Sequence, residues 1–296
     1  MTSRSAQLWA TEFQDLIRAA SGGLLFGVPL LYTMEVWWIG STAGPLRLYA
    51  VLGLSLGPLF LLNLTSGFRS TKDVGMAQAA MDTVTAVAIS LVSVMAILIV
   101  LREITTSTAT AEALGKILYE GVPFSIGVGL ASHFLIDQAA DDSDQNPTGG
   151  DGQGSVETEQ VSQKLNASLT DMGATLVGAV VIAFSIAPTD EVPLLASAIS
   201  ARWLIALVAV SLVVSYAIVF EAGFTAQQER HQHRGLFQAP VSETVVSYLL
   251  SLLASYLMLW FFDRIAPEEP WFATLTHVVV LGFPAAVGGA AGRLAV

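Results

Sequence analysis

Cysteine is absent from the 296 residues, which removes disulfides, thiolate catalysis and cysteine-ligated metals. Charge is scarce too: Asp, Glu, Lys and Arg make up 12% of the chain, against about 25% in a soluble domain. Lys and Arg number 13 against 24 acids, a formal net charge of -11, so there is no basic surface for a polyanion and nucleic acid is excluded as a partner. No nucleotide-binding glycine loop and no lipase elbow occurs. Lys72, Lys116 and Lys164 all fall in loops or at a span end, which excludes a retinal Schiff base inside the membrane. Asp142-Ser-Asp144-Gln-Asn146 begins like a calcium loop, but Pro147 stands where glycine is required and Gln153 where the closing glutamate is. His231-Gln-His233, beside Glu229, is too small a set to define a metal site, and His133 and His277 read as core or interface histidines. We expect no metal and no cofactor.

Apolar residues fill the space that charge leaves: 53% of the chain is hydrophobic and mean hydropathy is +0.64. They come in blocks near 18–38, 46–66, 78–101, 116–136, 168–188, 200–222, 242–262 and 271–293. Each block is close to the ~20 residues a helix needs to cross a bilayer. Lipid cannot hydrogen-bond an exposed backbone, so each block must be helical. We therefore expect an all-α polytopic membrane protein with about eight spans. Arg4, Glu12, Asp15 and Arg18 precede the first block with no small-residue cleavage site, so that block reads as a retained span.

Between Asp137 and Lys164 lie seven acids (Asp137, Asp141, Asp142, Asp144, Asp151, Glu157, Glu159) and one lysine. This polar stretch reads as a linker over 138–165, separating four-span units at 1–137 and 166–296. Arg4, Arg18, Arg69, Lys72, Lys164, Arg230, Arg234 and Arg293 fall on the side of the termini, against Arg47, Arg102, Lys116, Arg202 and Arg264 opposite. That bias predicts cytoplasmic termini. Trp37, Trp38, Trp203, Trp260 and Trp271 then line the outer boundary as anchors.

The chain repeats itself. At an offset of 161, DTVTAVAISLVSVMAILIVLREI lies over ETVVSYLLSLLASYLMLWFFDRI and EGVPFSIGVG over LGFPAAVGGA. Gly121, Pro123 and Gly127 thereby align with Gly282, Pro284 and Gly288. At an offset of 156, Asp15, Gly22, Thr33, Glu35 and Val36 align with Asp171, Gly178, Thr189, Glu191 and Val192. Recurring polar residues cannot come from shared hydrophobicity. Units with an even number of spans point the same way, which predicts an axis along the membrane normal.

The runs FGVPLLYTMEVWWIG, FSIAPTDEVPLLA, IVFEAGF, PVSETVVSYLLSLL and VVLGFPAAVGGAAGRLAV resemble a family of integral membrane proteins of unknown function from bacteria and haloarchaea. The likeness spans nearly the whole chain apart from the acidic stretch. It implies the duplicated eight-span fold and no particular activity.

Charge inside hydrocarbon costs at least ~2.5 kcal/mol at a helix centre and persists where it is paired or useful. On the outer side we expect two Glu/Arg clusters: Glu35, Arg47 and Arg102 beside Glu103, and Glu191, Arg202 and Arg264 beside Asp263. They read either as interfacial salt bridges or as a selective gate. Asp15, Asp171, Asp82 and Glu243 lie at the inner ends of their spans, as helix-dipole caps or an inner cation ring. Pro123, Pro284, Gly127, Gly288 and Gly289 either let the halves approach closely or open carbonyls onto a pathway. The leading function is a channel or secondary transporter for a small ion or solute, between pseudosymmetric halves. A scaffold or sensor working through the acidic stretch, or a lipid-modifying enzyme using Glu35, Glu191 and the histidines, are the alternatives. Membrane lipid is the expected surrounding partner, and self-association to a homo-oligomer stays open.

Overall fold

The computed structural model describes residues 2–65, 76–141, 156–222, 240–266 and 268–294. Among these, all regular structure is helical: α1 (Thr2–Leu31), α2 (Met34–Thr42), α3 (Pro45–Thr65), α4 (Met76–Val100), α5 (Thr110–Asp141), α6 (Val156–Ile186), α7 (Glu191–Ala198), α8 (Ala201–Tyr216), α9 (Pro240–Phe261) and α10 (Trp271–Leu294). α8 continues into a π-helical turn, Ala217–Glu221. A helix lies at each of the eight apolar blocks. α4, α9, α10 and Ala201–Glu221 are each long and apolar enough to cross a bilayer. Two bent pairs, α1 with α2 and α6 with α7, raise that number to six. Among the described residues the candidate crossings, by length and composition, thus number four to six; the apolar part of α3 is short and α5 carries Glu112, Lys116 and Glu120.

The bends differ from the straight first and fifth spans that the apolar runs predict. Pro29 sits near the end of α1 and Pro188 follows α6, and a proline ring withholds an N–H from the helix ladder. Beyond these points α2 turns 93° from α1, and α7 turns 91° from α6. The helices also begin earlier than predicted. Asp15 and Asp171 therefore lie well inside α1 and α6, Asp82 lies inside α4, and Glu243 alone of the four occupies a first turn.

Helix seams close on glycine. A Cβ added to Gly22 would stand 2.8 Å from the Gly127 carbonyl oxygen, and one added to Gly178 would stand 2.2 Å from that of Gly288. The glycines of α5 and α10 thus bring α5 against α1 and α10 against α6, each within its own half of the chain and not between the halves. Two further seams correspond: Gly121 meets the Leu91 side chain and Gly282 that of Leu252. α10 is the central helix, with every residue from Val278 to Ala290 buried.

Outward faces carry Val84, Val177, Val181, Ile205 and Val213, each more than 60% exposed, as lipid-facing surfaces do. Four buried hydroxyls donate to their own helix, Thr83 to Ala79, Ser90 to Ala86, Ser211 to Leu207 and Ser255 to Ser251. This satisfies them where no water is present.

Candidate functional site: a cavity between two helix elbows

The two elbows face each other across a cavity of about 510 Å³. Tyr32, Thr33 and Glu35 line it from the first elbow; Thr189, Asp190 and Glu191 line it from the second. Thr33 with Thr189, and Glu35 with Glu191, are the pairs that the 156-residue offset aligns. A helix begins just past each break, so each elbow aims the first turn of a short helix, with its unpaired N–H groups and positive dipole end, toward this region.

The two glutamates are not equivalent. Glu35 is exposed. Glu191 is 6% exposed; its Oε1 accepts a 3.3 Å hydrogen bond from the Met34 N–H at the start of α2. Its Oε2 lies buried without a partner. One carboxylate therefore bridges the elbows, anchoring the opposite helix end while keeping an acceptor uncommitted.

Arg264 braces the second elbow, and none of the outer arginines joins the glutamates among the described residues. Arg264 donates through Nη1 to Asp190 at 2.9 Å and through Nη2 to the Pro188 carbonyl. Arg102 holds its guanidinium 5.2 Å from the centre of the Trp203 ring. Arg102 and Asp263 both occupy left-handed backbone, with φ of 67° and 56°. Arg47 and Arg202 are exposed. Among the described residues no ion pair links Glu35 or Glu191 to an arginine. Glu103 pairs instead with Lys116 at 3.2 Å.

Trp37 is 1% exposed, so it is a core residue and not an anchor; Trp38, Trp260 and Trp271 stay exposed. Beneath the elbow, Tyr32 donates a 2.8 Å hydrogen bond to the Val280 carbonyl on α10. That bond ties the two stretches of the chain together, as does Arg18 Nε, which reaches the Ala222 carbonyl at 2.9 Å.

At the opposite end of the bundle the acids are bound. Arg293, 1% exposed, pairs with Glu243, lies 3.8 Å from Asp171, and donates to Ser247 at 3.2 Å. Asp15 pairs with Arg18 at 3.0 Å. Asp82 accepts from Gln78 at 3.2 Å and keeps Oδ2 buried and unpartnered. Asp171 and Glu243 thus converge on one arginine, while Asp15 and Asp82 do not share a cation among the described residues. Pro123 and Pro284 are accommodated inside continuous helices. The residues Arg69, Lys72, Asp142 to Gln153, Glu229, Arg230, His231, His233 and Arg234 lie outside the described residues, as do the side chains of Lys164 and His133.

Sequence reasoning passed over Glu120. It is 0% exposed, lies on α5, and has no hydrogen-bond partner on either carboxyl oxygen. Its sequence signal was an acid inside an apolar block, at a position where the 161-residue offset sets Leu281.

Long apolar helices, seams closed on glycine and lipid-type outer faces define an integral membrane protein. The chain belongs to the family described as "Putative integral membrane protein (DUF2391)", which it matches over residues 15–296. No curated protein and no solved structure matches it.

Proposed function

We propose that the protein is a channel or secondary transporter for a small ion or solute. The chain would cross the membrane eight times, as two parallel repeats over 1–137 and 166–296 joined by the 138–165 linker, with cytoplasmic termini and membrane lipid around it. The reading rests on the elbow cavity, where aligned residues of both repeats, Thr33 with Thr189 and Glu35 with Glu191, line one space. Discontinuous helices that turn their ends toward a common cavity near a repeat axis are the means by which transporters build polar sites inside lipid. The lining carries threonine hydroxyls and carboxylates, which suit a cation or a solute bearing hydrogen-bond donors. Glu35 would form the outer lip and Glu191 the inner contact. α10 is buried from Val278 to Ala290, so α5 and α10 would have to shift to extend this open cavity into a passage.

The test is flux in liposomes across Na⁺, K⁺, H⁺, Ca²⁺ and Cl⁻. One of these, or a solute competing with it, should move, and the Glu35→Gln, Glu191→Gln double variant should change its rate or selectivity. A double variant with wild-type flux removes the glutamates from the path.

A further inference from the structure

On α5, Glu112, Lys116 and Glu120 follow one another at four-residue intervals, which places them on one helix face, a turn apart. Burial increases along the row: the Glu112 side chain is 38% exposed and that of Lys116 10%, and Glu120 is 0% exposed. The upper two rungs are joined, with Lys116 Nζ 3.0 Å from Glu112 Oε1. Lys116 also meets Oε2 and the backbone carbonyl of Glu103, both at 3.2 Å. The lowest rung is open. The polar side chain beside Glu120 is the Trp37 indole N–H, which approaches its carboxyl without meeting hydrogen-bond geometry.

The charged groups on the elements around α5 are engaged elsewhere or face away. On α2, Glu35 is exposed, and on α3 Arg47 is exposed. On α1, Asp15 and Arg18 pair with each other, and Asp82 of α4 is held by Gln78; these three sit toward the opposite end of the bundle. Tyr32 is bound to Val280. An ionised carboxylate at Glu120 would have no exposure to solvent and no protein donor in bonding geometry, an arrangement that is costly. Something must neutralise it. A metal cation needs several oxygen ligands, whereas the neighbour here is an N–H donor. A proton needs one carboxyl oxygen and leaves the other to accept from Trp37.

We propose that Glu120 is the proton-binding site of the transport cycle, loaded and unloaded along the Glu112–Lys116 row above it. This rests on the transport reading for its purpose, though not for its chemistry. The aligned positions in the second repeat are Ala273, His277 and Leu281, so one proton-binding carboxyl serves the pair of repeats. Loading would need a path for water to the carboxyl. Gly40 on α2 is set against the backbone of Gly115, and a shift of α2 along α5 would withdraw Trp37 and admit water to the carboxyl.

The experiment is infrared difference spectroscopy on the full chain in liposomes, titrated from about pH 5 to about pH 9. The expected result is a protonated-carboxyl stretch that disappears on alkalinisation, is missing in Glu120→Gln, and ignores Na⁺ at fixed pH. In parallel, a hydrophobic carbodiimide, which adds to a protonated carboxyl in lipid, should label Glu120 of the wild-type protein, read by mass spectrometry of its peptides. A Glu120 band that never changes with pH overturns the proposal by making the group a permanently neutral core residue. A band shifted by Na⁺ at fixed pH overturns the choice of proton. The carbodiimide readout uses wild-type protein alone, and repeating it across the same pH range reports Glu120 even where a Glu120→Gln variant misfolds. Flux without Glu120 titration sinks this proposal alone, and Glu120 titration in a protein that moves nothing sinks the transport reading alone.

Discussion

Adding one methyl group at Gly178 tests how tightly α6 is seated on α10. An alanine Cβ there would stand 2.2 Å from the Gly288 carbonyl oxygen and 3.0 Å from the Gly292 Cα. Both obstacles are backbone, so no side chain can rotate away and the helices must separate by about an ångström. Forcing extra volume into a filled seam costs roughly 1–3 kcal/mol, with backbone obstacles at the upper end. Alanine gains about 1 kcal/mol over glycine in a helix. The net for Gly178→Ala is then a loss of about 2 kcal/mol. At ~2–4 °C per kcal/mol, apparent Tm should fall by roughly 4–8 °C. Gly173, five positions earlier on the same helix, has nothing within 4 Å of an added Cβ, so Gly173→Ala should hold or raise Tm through propensity alone. Thermal unfolding of the two variants in one detergent, followed by loss of the monodisperse species, compares them directly. Equal Tm values for both would refute the seam.

Arg293→Ala leaves Glu243 and Asp171 without their cation; both side chains are about a third exposed, so the expected cost is about 1.5–3 kcal/mol, read as Tm or as failure to recover folded protein. Tyr32→Phe deletes the bond to Val280 and should cost about 0.5–1.5 kcal/mol without changing the fold, which the same unfolding assay resolves. Brominated lipids should quench Trp38, Trp260 and Trp271 in single-tryptophan proteins, while Trp37, fully enclosed, should remain unquenched. Quenching of Trp37 as strong as that of Trp38 would contradict the placement of α2 against α5.

Helix positions were legible because a block of apolar residues has few alternatives in lipid: α4, α8 with its π-helical turn, α9 and α10 begin and end within a few residues of their blocks. The elbows were not. Residues 18–38 read as one span because hydropathy does not register a turn, and the proline at 29 is tolerated in many membrane helices. For the same reason Trp37 looked like an anchor: with the span straight it lies at the boundary, whereas the 93° turn folds it inward against α5. The outer glutamates and arginines were found, but their pairing was not, since sequence offsets give which positions correspond and not which side chains touch. Glu191 bonds across to α2, and Arg264 holds the turn beside it. Glu120 was missed because attention went to polar residues recurring at both offsets. An acid aligned with Leu281 is by that measure noise. Arg293 entered only as one charge among many on its side, because nothing in the sequence reveals that Asp171 and Glu243 close around it.

The absence of cysteine makes one measurement decisive for the shared cavity. Thr33→Cys and Thr189→Cys, introduced singly, should both react with a membrane-impermeant maleimide applied from one face of sealed vesicles, and neither should react from the other. Reaction from opposite faces would mean that the two elbows do not meet, and the cavity, the parallel repeats and the path through them would all be wrong.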